Sequence, residues 1–308
     1  MTPRLRLCVL LALAACHHDA PEMRQTISRD DLTAFVHGVG TELGPETAVT
    51  DEHVESASGA RVYVRTARLA YIGNPVELSF AFTAGAQVGG MQLKPIGPPA
   101  LAPTTRGDYQ TQTALHVPFT GAWTVVWGGR TLDDNYHAST HDQRFAYDIL
   151  VVKDGVTHAG DGTKNSDYYA YGRPIVAPAA GTVVVAQDGV VENVPGQMDP
   201  RHAAGNYAVL DHGDGEFSFL AHMIPGSLAV HVGDHVAAGQ AIGRCGNSGN
   251  SSEPHLHYHL QTTPRFHDGE GLPRSSSTTP PTGPRSRAAS RCAARRSTST
   301  STTSRRSR

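Results

Sequence analysis

The run Gly246-Asn247-Ser248-Gly249-Asn250-Ser251-Ser252-Glu253-Pro254-His255-Leu256-His257-Tyr258-His259 decides how the chain is read. Its front half is turn chemistry: Asn-Ser-Gly-Asn supplies positive φ, and Pro254 sets the backbone just before it extends. Its back half alternates His, Leu, His, Tyr, His. Successive side chains of a strand point to opposite faces, so His255, His257 and His259 share one face, with neighbours about 7 Å apart. Two neutral imidazoles on a rigid strand suit one Zn²⁺. The chain carries 17 histidines, so a lone one means little. The His-x-His strand behind a Gly/Asn/Ser turn is a more specific signal, and it predicts a metal site.

Outward from this run, the composition bounds the rest. A chain of 308 residues has room for one large or two modest domains. The formal net charge of −2 hides a segregation: nine arginines and no acid lie from Arg274 onward, which leaves residues 1–273 with an excess of eleven acids. An acidic body of this kind excludes a nucleic-acid partner.

Arg4 and Arg6 precede the apolar run Leu7–Ala15, which is too short to span a bilayer and reads as an export signal over residues 1–15. Leu13-Ala14-Ala15-Cys16 resembles the bacterial lipobox, which implies a lipidated Cys16, a membrane anchor, and a protein facing the periplasm or the cell exterior. Residues 16–49 read as a tether with a short helix, from Ser28-Arg29-Asp30-Asp31 followed by Leu32, Phe35 and Val36. Cys245 and Cys292 are too few for a disulfide framework.

From residue 50 to 126 the period is two. Val62 and Val64 alternate with Arg61, Tyr63 and Arg65, and Val76, Leu78, Phe80 and Phe82 alternate with Glu77, Ser79 and Ala81. Gly73-Asn74-Pro75 and Pro95-Ile96-Gly97-Pro98-Pro99 punctuate a small β-rich region that offers no site. Residues 127–273 are again short strands joined by Gly-rich turns, among them a hairpin turn at Asp211-His212-Gly213-Asp214-Gly215. No long amphipathic helix interrupts them. The expected fold class is all-β and antiparallel.

Five motifs in order carry a resemblance: Gly-x-Pro-Ile-Val-Ala-Pro-x-x-Gly-Thr-Val from Gly172, Gly-Asn-Tyr-Ala-Val-Leu-x-His from Gly205, Leu-Ala-His at 220–222, Val-x-x-Gly-Asp-x-Val-x-x-Gly-Gln-x-Ile-Gly from Val230, and Gly-Asn-Ser-Gly…Pro-His-Leu-His from Gly246. Together they resemble the lysostaphin/LytM-type zinc metallopeptidases of family M23, mostly peptidoglycan endopeptidases, over about residues 130–273. The resemblance implies one zinc ion per chain, with His257 and Asp148 as ligands and His222 and His255 as catalytic histidines. Many members carry the remaining ligand four residues before the Asp, where this chain has Arg144. Another branch carries Asn-x-His further upstream, which Asn135-Tyr136-His137 fits, and His141 competes for the role.

A His₂Asp set leaves zinc an open position for water, as hydrolysis requires. With no His-Glu-x-x-His helix, His222 and His255 fall to proton transfer or oxyanion stabilisation. Tyr258 reads as core, His259 as rim or support for the site, and His212 and His231 as turn and surface residues. The Val230 hairpin motif also resembles biotinyl and lipoyl carrier domains, but those need a lysine at a turn tip and the last lysine here is Lys164. The alternatives are a metal-free family member that binds peptidoglycan or activates another hydrolase, and a zinc-scavenging lipoprotein. Residues 274–308 switch to Arg, Ser, Thr and Pro, a disordered composition that reads as a frameshift product or as a basic tail for anionic wall polymer.

Overall fold

The computed structural model describes residues 28–57, 60–82 and 87–274. The expected leader, Cys16 and all but the first residue of the Arg/Ser/Thr-rich tail lie outside these residues. Among the described residues, no helix is long and apolar enough to cross a membrane.

Helix α1 (Arg29–Glu42) is followed by β1 (Glu46–Ala57), β2 (Ala60–Leu69), β3 (Val76–Phe82) and β4 (Val88–Pro95), which pair antiparallel in that order. The alternation in β3 sends Val76, Leu78 and Phe80 inward, where they bury with Val39 and Leu43 from the helix end and Leu69 from β2. The alternate residues of β3, Glu77, Ser79 and Ala81, are half-buried, and Val64 of β2, opposite Ser79, is buried on that side.

The second unit is also antiparallel. Its strands are β5 (Thr124–Gly128), β6 (Tyr147–Leu150), β7 (Pro174–Val176), β8 (Gly181–Gln187), β9 (Asn206–Asp211), β10 (Phe217–Met223), β11 (His235–Val236), β12 (Ala241–Arg244), β13 (Leu256–Gln261) and β14 (Gly271–Leu272). Seven pair in the order β11-β8-β9-β10-β13-β6-β5, β14 adds to β13, and β12 pairs with β7 apart from them. Leu256 and Tyr258 of β13 enter a core with Ile149, Val183, Leu210, Leu220 and Ile242. Tyr258 is thus core, as its position in the alternation predicts. The opposite face of β13 is buried as well, and it carries His257 and His259.

Between the two sheets the chain runs as a strap over the second one. Ala102 N–H donates to Ala138 O at 2.8 Å, His116 N–H to Pro178 O at 2.8 Å, and Val176 N–H to Pro118 O at 2.9 Å. Two carboxylates fasten it. Glu270 accepts from the Thr104 and Thr105 hydroxyls and from the Thr105 and Arg106 N–H groups. Glu216, fully buried, accepts from the Tyr109 hydroxyl at 2.9 Å, Gln112 N–H at 2.7 Å and Thr113 N–H at 2.9 Å.

Burial alone would raise the Glu216 pKa, but these donors outweigh it and hold the carboxyl below its ordinary value. A carboxylate lowered on folding contributes stability above its unfolded pKa of about 4.3, and that stability is lost as pH falls through the folded value. Glu216→Gln turns a donor toward these donors and is expected to cost about 1–3 kcal/mol. Denaturant titration at pH 7 and at pH 3 checks this, since the gap between the two proteins should narrow at the acid end.

Candidate metal centre

Strands β6 and β13 pair antiparallel with Asp148 directly opposite His257. Directly opposed residues share a face, so this register sets carboxylate against imidazole. Asp148 Oδ1 lies 2.9 Å from His257 Nδ1, and its Oδ2 lies 3.0 Å from His137 Nε2. His137 comes from the short 3₁₀ turn Tyr136–Ser139, where the Asn135 side chain caps His137 N–H at 3.1 Å. Asn135 is fully buried, and its amide also reaches Gly129 O and Arg144 O. His137, Asp148 and His257 are all buried, and one ligand atom from each lies within 4.8 Å of the others. Two imidazoles and one carboxylate suit Zn²⁺ and leave a position open for hydrolytic chemistry.

His141 stands apart. Its Nδ1 meets Pro103 O at 2.8 Å and its ring stacks on Tyr71 at 5.0 Å. Arg144 is buried elsewhere too, donating to Ala102 O and Arg130 O at 3.1 Å each and lying over the Phe145 ring.

His255 and His222 complete the cluster, with ring centroids 4.7 Å apart. Their outer nitrogens are committed. His255 Nδ1 meets Glu253 O at 2.8 Å and Ser251 Oγ at 3.1 Å, and His222 Nδ1 meets Ser248 O at 2.8 Å. A carbonyl only accepts, so each Nδ1 carries hydrogen and each Nε2 is free to exchange a proton. His255 Nε2 is 3.6 Å from Asp148 Oδ1. Across the β10–β13 pair it is Ala221 that opposes His257, so regular alternation would turn His222 to the other face. A break in the β9–β10 register and a φ of +64° at His222 bring its ring to the site, 5.8 Å from that of His257. For a non-glycine residue this left-handed conformation costs about 1–2 kcal/mol.

Burial would raise the pKa of Asp148, but the His137 and His255 imidazoles hold it well below the usual carboxylate range. Burial and the neighbouring His255 push His222 well down. Burial acts the same way on His255, but Asp148 outweighs it and the net shift is upward. Tyr136, to which no role was assigned from sequence, joins the site: its hydroxyl donates to Asp148 Oδ2 at 3.0 Å and its ring meets Trp127 edge-on at 5.4 Å. Its place between Asn135 and His137 was the available signal.

Residues 164–269 match the profile of peptidase family M23. This segment is an M23 peptidase domain. The match takes in His222, His255 and His257, and begins after His137 and Asp148. The chain is 37% identical over 90 residues to the peptidoglycan DD-endopeptidase ShyA of Vibrio cholerae, covering 29% of this chain and 19% of that one. It is 37% identical over 94 residues to an uncharacterised metalloprotease of Haemophilus influenzae, covering 30% and 17%. The chain thus spans less than a fifth of the length of these relatives. Among solved structures, the catalytic domain of lysostaphin from Staphylococcus simulans aligns at 22% identity and a TM-score of 0.31, covering 49% of this chain and 87% of that one. A zinc-containing peptidase from Vibrio cholerae aligns at 14% identity and a TM-score of 0.35, covering 72% and 58%.

The Gly246–Pro254 turn of the M23 domain seats both His222 and His255, and Gly249 holds it in place. Gly249 has a φ of +82°, and a Cβ there would lie 2.4 Å from Gly205 N and 2.5 Å from His202 O. Backbone on both sides cannot yield cheaply. Gly249→Ala is therefore expected to cost about 1–3 kcal/mol. It should also shift the His222 ring resonances through Ser248 O, a change that denaturant titration paired with histidine-selective NMR would reveal.

Proposed function

We propose that the chain is an exported, zinc-dependent endopeptidase that hydrolyses peptide cross-links of bacterial peptidoglycan, anchored to a membrane through a lipid on Cys16. The observation that carries this reading is the aim of two imidazoles with free Nε2 atoms, His222 and His255, at a buried His₂Asp set of zinc-ligand type. The M23 match and a relative named for peptidoglycan endopeptidase activity support the substrate class.

His137, Asp148 and His257 would hold the metal. When bound, zinc polarises the scissile carbonyl and brings the pKa of water toward neutrality. The residues of the chain then handle the protons. One of the two imidazoles takes a proton from the attacking water at Nε2, and the other, as an imidazolium with hydrogen on Nε2 as well as Nδ1, donates to the oxyanion that forms on the carbonyl oxygen. The proton taken from water passes to the departing amine nitrogen, which leaves as the peptide bond breaks. The carbonyl of Ser248 and that of Glu253 keep hydrogen on Nδ1 of both rings, so that Nε2 is the atom that exchanges protons.

Apolar side chains flank the cluster for an extended peptide. Trp127 and Tyr136 stand half-exposed on one side. Val191, Val194 and Met198 stand exposed on the loop that hydrogen-bonds to Gly249 and Ser252 through Asp199 and Gly196. Scissile-bond choice is assigned to these flanking loops.

The test is digestion of purified peptidoglycan by the Cys16→Ser chain, with and without a chelator, followed by mass analysis of released muropeptides. Release that stops with chelator and falls by at least about 100-fold in His255→Ala and His222→Ala is the expected outcome. Zinc titration should show one ion per chain, lost in His137→Ala and kept in His141→Ala. A folded protein with neither zinc nor release would make it a metal-free wall-binding or hydrolase-activating protein.

A further inference from the structure

The histidine face of β13 does not end at His257. Its Nε2 lies 2.9 Å from His259 Nδ1, and His259 Nε2 lies 3.1 Å from Gln261 Oε1. Gln261 Nε2 in turn donates to Thr263 O at 2.9 Å and Arg265 O at 2.6 Å. All three side chains are buried, with His259 at 1% and Gln261 at 0% exposure. The His259 ring stacks on Phe219, centroids 4.6 Å apart and planes 13° from parallel, so its orientation is set by packing.

The direction of this chain of hydrogen bonds follows from its far end. Two backbone carbonyls can only accept, so the Gln261 amide nitrogen must face them and its oxygen must face His259. An oxygen that only accepts requires hydrogen on His259 Nε2. A neutral ring with hydrogen there has a lone pair on Nδ1, and that lone pair requires hydrogen on His257 Nε2. The lone pair of His257 is thereby left on Nδ1, facing Asp148 Oδ1 at 2.9 Å. Two acceptors in contact with no hydrogen between them call for a cation.

We propose that His259 and Gln261 are positioning residues that fix the tautomer of His257, so that Nδ1 presents its lone pair for a metal. This rests on the zinc reading above. Gln261 works through its hydrogen bonds alone and stays clear of substrate, while the carbonyls of Thr263 and Arg265 supply the reference that orients it. Outer hydrogen-bond partners of this kind fix ligand tautomer and raise affinity, and their loss weakens metal binding by about 10–100-fold.

The test combines two measurements on the full chain. Long-range ¹H–¹⁵N spectra of the wild type, metal-free and zinc-loaded, should show hydrogen on Nε2 of His259 in both states and on Nε2 of His257 with zinc. Hydrogen on His259 Nδ1 overturns the proposal, and this needs no variant to fold. Competition with a chromophoric chelator should show zinc bound about 10–100-fold more weakly by Gln261→Met. That near-isosteric variant should also lose the single His259 tautomer. A Gln261→Met affinity within twofold of wild type overturns the proposal while leaving the zinc reading intact, provided that His257→Ala loses the metal. Undiminished zinc binding by His257→Ala overturns both.

Discussion

One carboxylate facing imidazoles organises the second sheet. Asp148 is 5% exposed, and its two oxygens address His257 and His137, with His255 just beyond hydrogen-bond reach. A buried carboxylate is tolerable only where cationic or hydrogen-bonding partners replace water. The parts of the fold nearest to it supply them. The β6–β13 register brings His257 opposite, the Asn135 cap presents His137, and Tyr136 adds a hydroxyl. The partners come from two distant stretches of chain, the Tyr136–His137 turn and the start of β13, so the site exists only once the sheet has closed.

A second layer keeps those partners in their roles. The carbonyls of Ser248 and Glu253 turn the free nitrogens of His222 and His255 inward, and the Gln261 amide does the same for His257 through His259. The same turn serves both catalytic candidates, because Gly205 and Gly249 let two backbones approach where any Cβ would intrude. His222 needs more than this, since only a left-handed residue in a strand break can deliver a side chain from the wrong parity. Strain at such a point is retained where function gains from it.

Alternation made much of this legible. It placed His255, His257 and His259 on one face, sent Tyr258 to the core, and marked both regions as β-rich. It reports faces and stays silent on cross-strand partners, so the opposition of Asp148 and His257 could not be read from period two. Choosing between His137 and His141 also required three dimensions. Residues 71 and 103, far away in sequence, engage His141 and draw it out of the cluster. Arg144, which breaks the commoner spacing, is taken up by the strap at Ala102 O. Gln261 gave no signal, because a glutamine at the end of a strand looks like any polar terminus until the carbonyls it meets are known.

The strap has a consequence for the order of assembly. Residues 104–113 belong to the first half of the chain, yet their fastenings are Glu216 and Glu270, which emerge from the ribosome more than a hundred residues later. The four-stranded sheet before the strap is built from neighbouring strands and can form as soon as it is made. The strap and the second sheet under it must await the last strands, and contacts of such long sequence separation close slowly. Until then the polar groups that the two glutamates will satisfy stay solvated, which keeps this part of the chain open and pliable through the late stages of its synthesis.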